Sequence, residues 1–192
     1  MTYTLGMPAR RARSAVATRA AILDAARARF GTDGYERTTM RAVASDVGVD
    51  PALVVRYFGN KESLFAEAAE FDLHLPDLHD VPAKDLATVL MPRFFAVWEN
   101  DGAFLPLLRA AASSPRAAEA MLQVFARQVA PALAVVTADR PDERAALVGS
   151  QVLGLAFSRY VLRVPPLANM THEQLMRWVG PVLEYYLTTE PR

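Results

Sequence analysis

Apolar positions recur at intervals of three and four along most of the chain, the pattern of helices that each bury one face. Ile22, Ala25, Ala26 and Phe30 share a face from Ala15 to Phe30, with Gly31 and the Asp33-Gly34 pair as the expected stop. Met40, Val43, Ala44 and Val47 form the buried face of a short second helix, with Thr39 as its N-cap and Gly48 at its end. Asp50-Pro51 opens a third, an acidic cap followed by Pro at the first helical position, running to about Phe58 and stopping at Gly59. Asn60 caps a fourth helix in which Leu64, Phe65, Ala68, Phe71 and Leu75 keep helical spacing. After a break at Pro76–Pro82, helices are predicted near 84–100, 103–113, 115–137, 141–164 and 171–188, with Pro92 and Pro131 expected to kink or divide theirs. No sustained alternation marks a strand. The expectation is an all-α protein of about nine helices.

Composition narrows the chemistry. The chain has 192 residues, 52% hydrophobic and 22% charged, which is globular rather than disordered. It has no cysteine, which removes disulfides, thiol nucleophiles and thiolate metal sites. Its apolar runs fall short of the ~18 residues of a membrane span. Met1 to Gly6 lacks a secretory signal pattern, so the expected location is the cytoplasm, with no membrane partner.

The net charge of zero hides a division. Residues 1–61 carry ten Lys or Arg and five acids, a surplus of +5, and the rest of the chain returns −5. A basic head joined to an acidic body points to a polyanion as the head's partner. Residues 1–14 show no apolar stripe and read as a flexible basic arm. Its Arg10, Arg11 and Arg13 are either a solvated tail or cations that follow a minor groove.

Thr39 to Leu64 is the informative unit: two short helices across a tight turn at Val47-Gly48-Val49, the spacing of a helix-turn-helix. Val43, Val47, Val49 and Leu53 are expected to pack the corner. Asp50, Pro51, Ala52, Val55, Arg56 and in part Tyr57 are expected on the open face of the second helix. Its eight residues, at ~1.5 Å each, make a rod short enough for a major groove. Arg56 can donate twice to a guanine edge, and Val55 or Ala52 can meet a thymine methyl. Lys61 at the next helix start, and Thr38, Thr39 and Arg41 at the second, are candidate backbone anchors.

Ile22-Leu23-Asp24-Ala25-Ala26, Phe30, Gly34-Tyr35, Thr38-Thr39, Val43-Ala44, Gly48-Val49 and Tyr57 through Phe65 together resemble the amino-terminal signature of the tetracycline-repressor (TetR) family. The likeness covers about fifty residues in register. It implies a homodimeric, all-helical repressor whose first three helices bind double-stranded operator DNA. It further implies a carboxy-terminal body that dimerises and binds a small-molecule effector. Two positions depart from the pattern: Val55, where members often carry an aromatic, and Asp50, where Ser or Thr is common. Asp50 repels phosphate, so its expected task is to cap its helix or accept from a cytosine amino group. Gly154-Leu155-Ala156 and Arg159-Tyr160-Val161-Leu162 are more loosely similar to the bodies of actinobacterial members.

The implied division is an arm at 1–14, a head at 15–61 with a bridging helix to about 75, and a regulatory body at 76–192. In the body, Ala146, Ser150, Gly154 and Ser158 recur every fourth residue, a small-residue stripe that permits close helix approach. With Leu175, Trp178, Val179, Val182 and Tyr186 they suit a two-helix contribution to a four-helix dimer bundle, or packing within one subunit. Phe94, Trp98, Phe104, Leu108, Met121, Phe125, Phe157 and Tyr160 are candidates for an effector pocket, and equally for plain core. Few charges lie among them, so a mostly apolar effector is expected. Asp72, His74, Asp77, His79 and Asp80 read as a solvated loop rather than a metal site, and no cofactor motif is present. The competing class is a helical carrier of hydrophobic ligands or a small enzyme. No Gly-x-Ser-x-Gly elbow, phosphate loop or His-Glu-x-x-His supports the enzyme.

Overall fold

The structure, a computed structural model, describes the backbone of residues 8–137 and 139–190, and the side chains from Ala15 onward with Ala83 excepted. Every regular element among these residues is a helix.

The head begins with α1 (Pro8–Arg37), which starts ahead of the expected Ala15. Pro8 to Ser14 are therefore helical backbone rather than part of a separate arm. Residues 1–7 and the side chains of Arg10, Arg11 and Arg13 lie outside the described residues. Gly31 does not end α1; its bare Cα is instead a packing surface for the body. The break comes at Gly34, whose left-handed φ of 80° only glycine adopts readily. α2 (Met40–Val47), α3 (Pro51–Phe58) and α4 (Lys61–Ala69) follow, each with the expected cap. Ile22, Ala26, Val43, Ala44, Val54, Phe58 and Leu64 form their shared core. Phe30, Tyr35 and Phe65 extend it as a ring cluster, with centroids 5.0 to 5.9 Å apart.

Much of the head's positive charge is spent internally. Arg29 pairs with Asp46 of α2 and with Asp33. Arg19 pairs with Glu67 of α4 and lies over the Phe58 ring. Arg27 donates to the carbonyls of Ala68 and Glu70 at the end of α4. These contacts hold α1, α2 and α4 as one unit.

α4 stops at Ala69, short of the expected Leu75. Glu70 to Leu78 has no regular secondary structure: Phe71 and Leu73 are buried while Asp72 and His74 are exposed, the Asp72 carboxylate accepts from the His74 amide at 2.7 Å, and His74 turns the chain at a φ of 45°. The helical spacing of 71 and 75 alone cannot tell a helix from an irregular segment that buries 71 and 73.

The body comprises α5 (Leu86–Asn100), α6 (Phe104–Ala111), α7 (Pro115–Val124), α8 (Ala130–Ala134), α9 (Pro141–Ala156), α10 (Pro165–Ala168) and α11 (His172–Thr188). α5 runs unbroken through Pro92, and its Leu90, Met91 and Trp98 are the centre of the body core. α11 packs on α5 and α9, and α6 carries α1 of the head. The helix expected over 115–137 is divided by a π turn at Phe125–Val129, in which the Ala130 amide reaches the Phe125 carbonyl. Pro131 explains it, because proline has no N–H and crowds the carbonyl four residues back, so the ladder widens just ahead of it. A second π turn, Phe157–Val161, closes the stretch expected as 141–164. Arg144, only 7% exposed, donates to Asp139 and to the Tyr186 and Thr189 carbonyls, tying the start of α9 to the end of α11.

Candidate nucleic-acid interface and effector cavity

Local chemistry fixes the shape of the head. The Thr39 hydroxyl accepts from the Ala42 amide at 3.1 Å, and Gly48 leaves α2 at a left-handed φ of 70°. The Asp50 carboxylate accepts from the Ala52 amide at 2.7 Å, with Pro51 at the first turn of α3. Asn60 accepts from the Ser63 amide at 2.8 Å and starts α4. Each cap satisfies amides that the helix start leaves unpaired. Asp50 is thus a cap, one of the two roles expected of it.

α3 buries Val54 and Phe58 and turns Pro51, Ala52, Val55 and Arg56 outward, with Val55 49% exposed. Tyr57 is half-buried beneath the Arg56 guanidinium, 5.7 Å from its ring. Arg41 is exposed on α2. Neither Arg41 nor Arg56 has an acidic partner among the described residues. Lys61 is half-buried, its ammonium 4.3 Å above the Tyr35 ring and donating to the Glu36 carbonyl at 3.2 Å. That bond uses one of three ammonium hydrogens, so donors remain.

One residue of the expected set is misplaced. Thr38 is 1% exposed and its hydroxyl donates to the Gly34 carbonyl at 2.8 Å. It braces the bend behind α2 and is not available at the surface, whereas Thr39 is exposed. Arg37, passed over in the sequence, is exposed at the end of α1 with its Nε bonded to the Asp33 carbonyl. Its signal was its position in a helix's last turn, immediately before the two threonines.

The electrostatics of the head are those of a stapled scaffold. The hydrogen bond from Arg29 holds the Asp46 carboxyl below its ordinary range, and the same bond raises Arg29. Burial, then donation to Glu62, raises the Tyr35 hydroxyl. Glu62 is lowered by its own backbone amide and by Tyr35.

The body holds a narrow apolar cavity of about 50 Å³, measured as room for the centre of a water-sized sphere, and it is partly open to solvent. Its wall includes Phe94, Trp98, Phe104, Met121 and Phe125, as expected, and adds Phe71, Leu73, Val129, Gly149 and Val152. Leu108, Phe157 and Tyr160 are not on it. Leu108 is core. Tyr160 instead packs on Trp98 and donates to Glu99 at 2.6 Å, and Phe157 is half-buried in the second π turn. Burial and that bond push the Tyr160 hydroxyl up to about 12. Desolvation raises Glu99, but bonds from Tyr160 and from His172, at 2.8 Å, leave it below its ordinary value. A fourth helix continued through Phe71 gives neither Phe71 nor Leu73 a place on a cavity wall.

On the outer face of the body, Ala146, Ser150 and Gly154 are exposed with Leu147 on α9, and Trp178 and Tyr185 on α11 are 69% and 52% exposed. Ser158, Val182 and Tyr186 are half-buried. Leu175 and Val179 are 1% and 8% exposed in the chain's own core, so they do not belong to this face. The helical spacing that grouped them with Trp178 cannot tell two adjacent stripes apart. In the loop before α5, His74 and His79 each pair with the carboxylate two residues back, and the His79 bond lowers Asp77. Among the described residues no three His, Asp or Glu side chains gather as a metal site, and no helix is long and apolar enough to cross a membrane.

A capped helix-turn-helix carried on a helical body is the architecture of a class of DNA-binding regulators. Residues 22–68 match the family described as bacterial regulatory proteins, tetR family, and residues 84–187 match the tetracyclin repressor-like C-terminal domain. The chain belongs to the TetR family; it is a DNA-binding transcriptional regulator and not an enzyme. Its family binds operator DNA and small-molecule effectors and forms dimers. Among solved structures it is similar to a TetR-family regulator from Streptomyces coelicolor, 28% identical with a TM-score of 0.59 over 88% of this chain and 94% of that one. It shares its fold with SmeT in complex with triclosan, at 24% identity and a TM-score of 0.65 over 89% and 90% of the two chains. A mutant HlyIIR protein has the same fold at 19% identity and a TM-score of 0.54, over 92% of this chain and all of that one. No curated protein sequence gives a match.

Proposed function

We propose that this protein is a cytoplasmic repressor that reads a palindromic operator as a homodimer and is released by a small, mostly apolar effector. The observation that carries the reading is the outer face of α3, where Arg56 stands without an acidic partner among the described residues, beside exposed Val55 and Ala52. In a major groove, Arg56 donates to a guanine edge and Val55 meets a thymine methyl. Lys61, Thr39 and Arg41 anchor phosphates on either side, and Arg10, Arg11 and Arg13 add cations at the start of α1. Thr38 is left out of this set because it is buried.

A single α3 covers little DNA, so two copies about 34–36 Å apart are needed to read one site. The open stripe of Ser150 and Gly154, flanked by Leu147, Trp178 and Tyr185, supplies the contact between copies. The working division is a head over 15–61, a connection through α4 and the irregular segment to about residue 75, and a body over 76–192. The apolar wall of the cavity supports an effector with little charge. SmeT, of the same fold, is known as a complex with triclosan.

Selection of bound fragments from random duplex DNA tests the reading. The expected winners are palindromes with half-sites one helical turn apart. Enrichment of no sequence, or of sites without two-fold symmetry, contradicts it.

A further inference from the structure

Two spaces meet at Phe71. The inner cavity is separated from an outer groove between α4 and α7, lined by Ala66, Glu70, Gln123, Arg127 and Gln128, and Phe71 and Val124 border both. The partition is a segment without helical hydrogen bonds. The Leu73 amide donates to the Gln128 carboxamide oxygen at 2.8 Å, and the Gln128 amide group donates to the Phe71 carbonyl at 2.9 Å. Arg93 donates to the Leu73 carbonyl at 2.9 Å. One carboxamide thus stands in for a neighbouring strand, satisfying a donor and an acceptor that are otherwise left unpaired.

The other end of this pair is also a cavity wall. Gln128 lies in the π turn whose first and last residues, Phe125 and Val129, line the chamber with Phe71 and Leu73. A molecule in the chamber therefore presses on both sides of the same two hydrogen bonds. Phe71 follows the end of α4 by two residues, and α4 follows α3 across Gly59 and Asn60.

Resting on the reading that the cavity takes an apolar effector, we propose that Gln128 is a latch and that Phe71–Leu73 is the effector sensor. An apolar molecule passing Phe71 takes the space of the Phe71 and Leu73 side chains and lifts the segment off Gln128. That frees the end of α4 and loosens the setting of α3. A backbone segment held by a few side-chain hydrogen bonds, two of them from Gln128, is an element that a ligand can bias.

Hydrogen exchange at the Leu73 amide, with N-phenyl-1-naphthylamine as an uncharged probe, tests the latch. In the wild type the amide exchanges slowly and becomes fast when the probe saturates the cavity. In Gln128→Leu it is fast without probe, the selected duplex binds about tenfold more weakly, and the probe adds little further loss. Gln128→Glu keeps the acceptor for Leu73 but loses the donor to Phe71, so it is intermediate and covers a failure of the leucine variant to fold. Gln123→Leu, in the outer groove, behaves as wild type. A slow Leu73 amide in both Gln128 variants, or probe that releases DNA with the amide still protected, overturns the latch and leaves the cavity reading standing. Probe that does not bind the wild type, or binds equally well when Leu153→Phe narrows the chamber, whose wall Leu153 shares, overturns the cavity reading and the latch with it.

Discussion

Gly31 of α1 lies so close to Pro106 of α6 that a Cβ built on the glycine falls 2.5 Å from the Pro106 Cβ and 2.6 Å from its Cα. The head and body are pressed together at a point where the backbone itself is the contact surface.

Gly31→Ala forces those two helices apart. Overpacking of this kind costs about 1–3 kcal/mol. For a chain of this size each kcal/mol lowers Tm by about 2–4 °C. A thermal melt checks it; an unchanged Tm shows that α1 and α6 separate without cost.

Arg56 and Lys61 are expected to fail differently. Arg56→Ala loses about 1–3 kcal/mol on the selected duplex and relaxes the preference at one position in each half-site. Lys61→Ala weakens all sequences alike. Competition among single-base variants of the duplex separates them, and a uniform loss for Arg56→Ala makes it a phosphate anchor instead.

Gly154 is exposed on α9, and a Cβ there meets nothing within 4 Å in the single chain. Gly154→Leu therefore leaves the fold intact while obstructing close approach of a second copy. Light scattering is expected to read one chain for the variant and two for the wild type. A variant that still reads two places the dimer contact elsewhere.

The Tyr160 hydroxyl, held neutral by burial and by donation to Glu99, ionises at about 12 instead of its ordinary 10. Because the folded state raises this value, its contribution to stability is complete below pH 10 and is lost as pH rises toward 12. Phenolate absorbance followed against pH is expected to lose a step near pH 12 in Tyr160→Phe. A lost step near pH 10 shows that burial and the bond to Glu99 do not raise the hydroxyl in solution.

The head was legible because its determinants are local. Thr39, Gly48, Asp50-Pro51, Gly59 and Asn60 act within a few residues, and each sits where its side-chain chemistry or φ requires. What escaped depends on partners distant in sequence. Phe71 and Leu75 keep helical spacing, yet the backbone groups of Phe71 and Leu73 bond to Gln128 and Arg93 in the body. Arg19, Arg27 and Arg29 counted toward a basic surface, yet their acceptors on α2 and α4 consume them. Thr38 and Thr39 look alike in the sequence, and only the bend at Gly34 buries one and exposes the other. Leu175 and Val179 share a helix with Trp178, but their side of it is buried in the chain's own core.

Equilibrium binding of the full chain to its selected duplex, between about 50 and 200 mM salt, measures the charge that this head presents to DNA. Affinity is expected to fall steeply, with a log–log slope near −0.9 for each phosphate contact, and the slope is expected to flatten by about one contact in Lys61→Ala. Binding that is indifferent to salt, or no binding at the lowest salt, contradicts a DNA-reading role for α3.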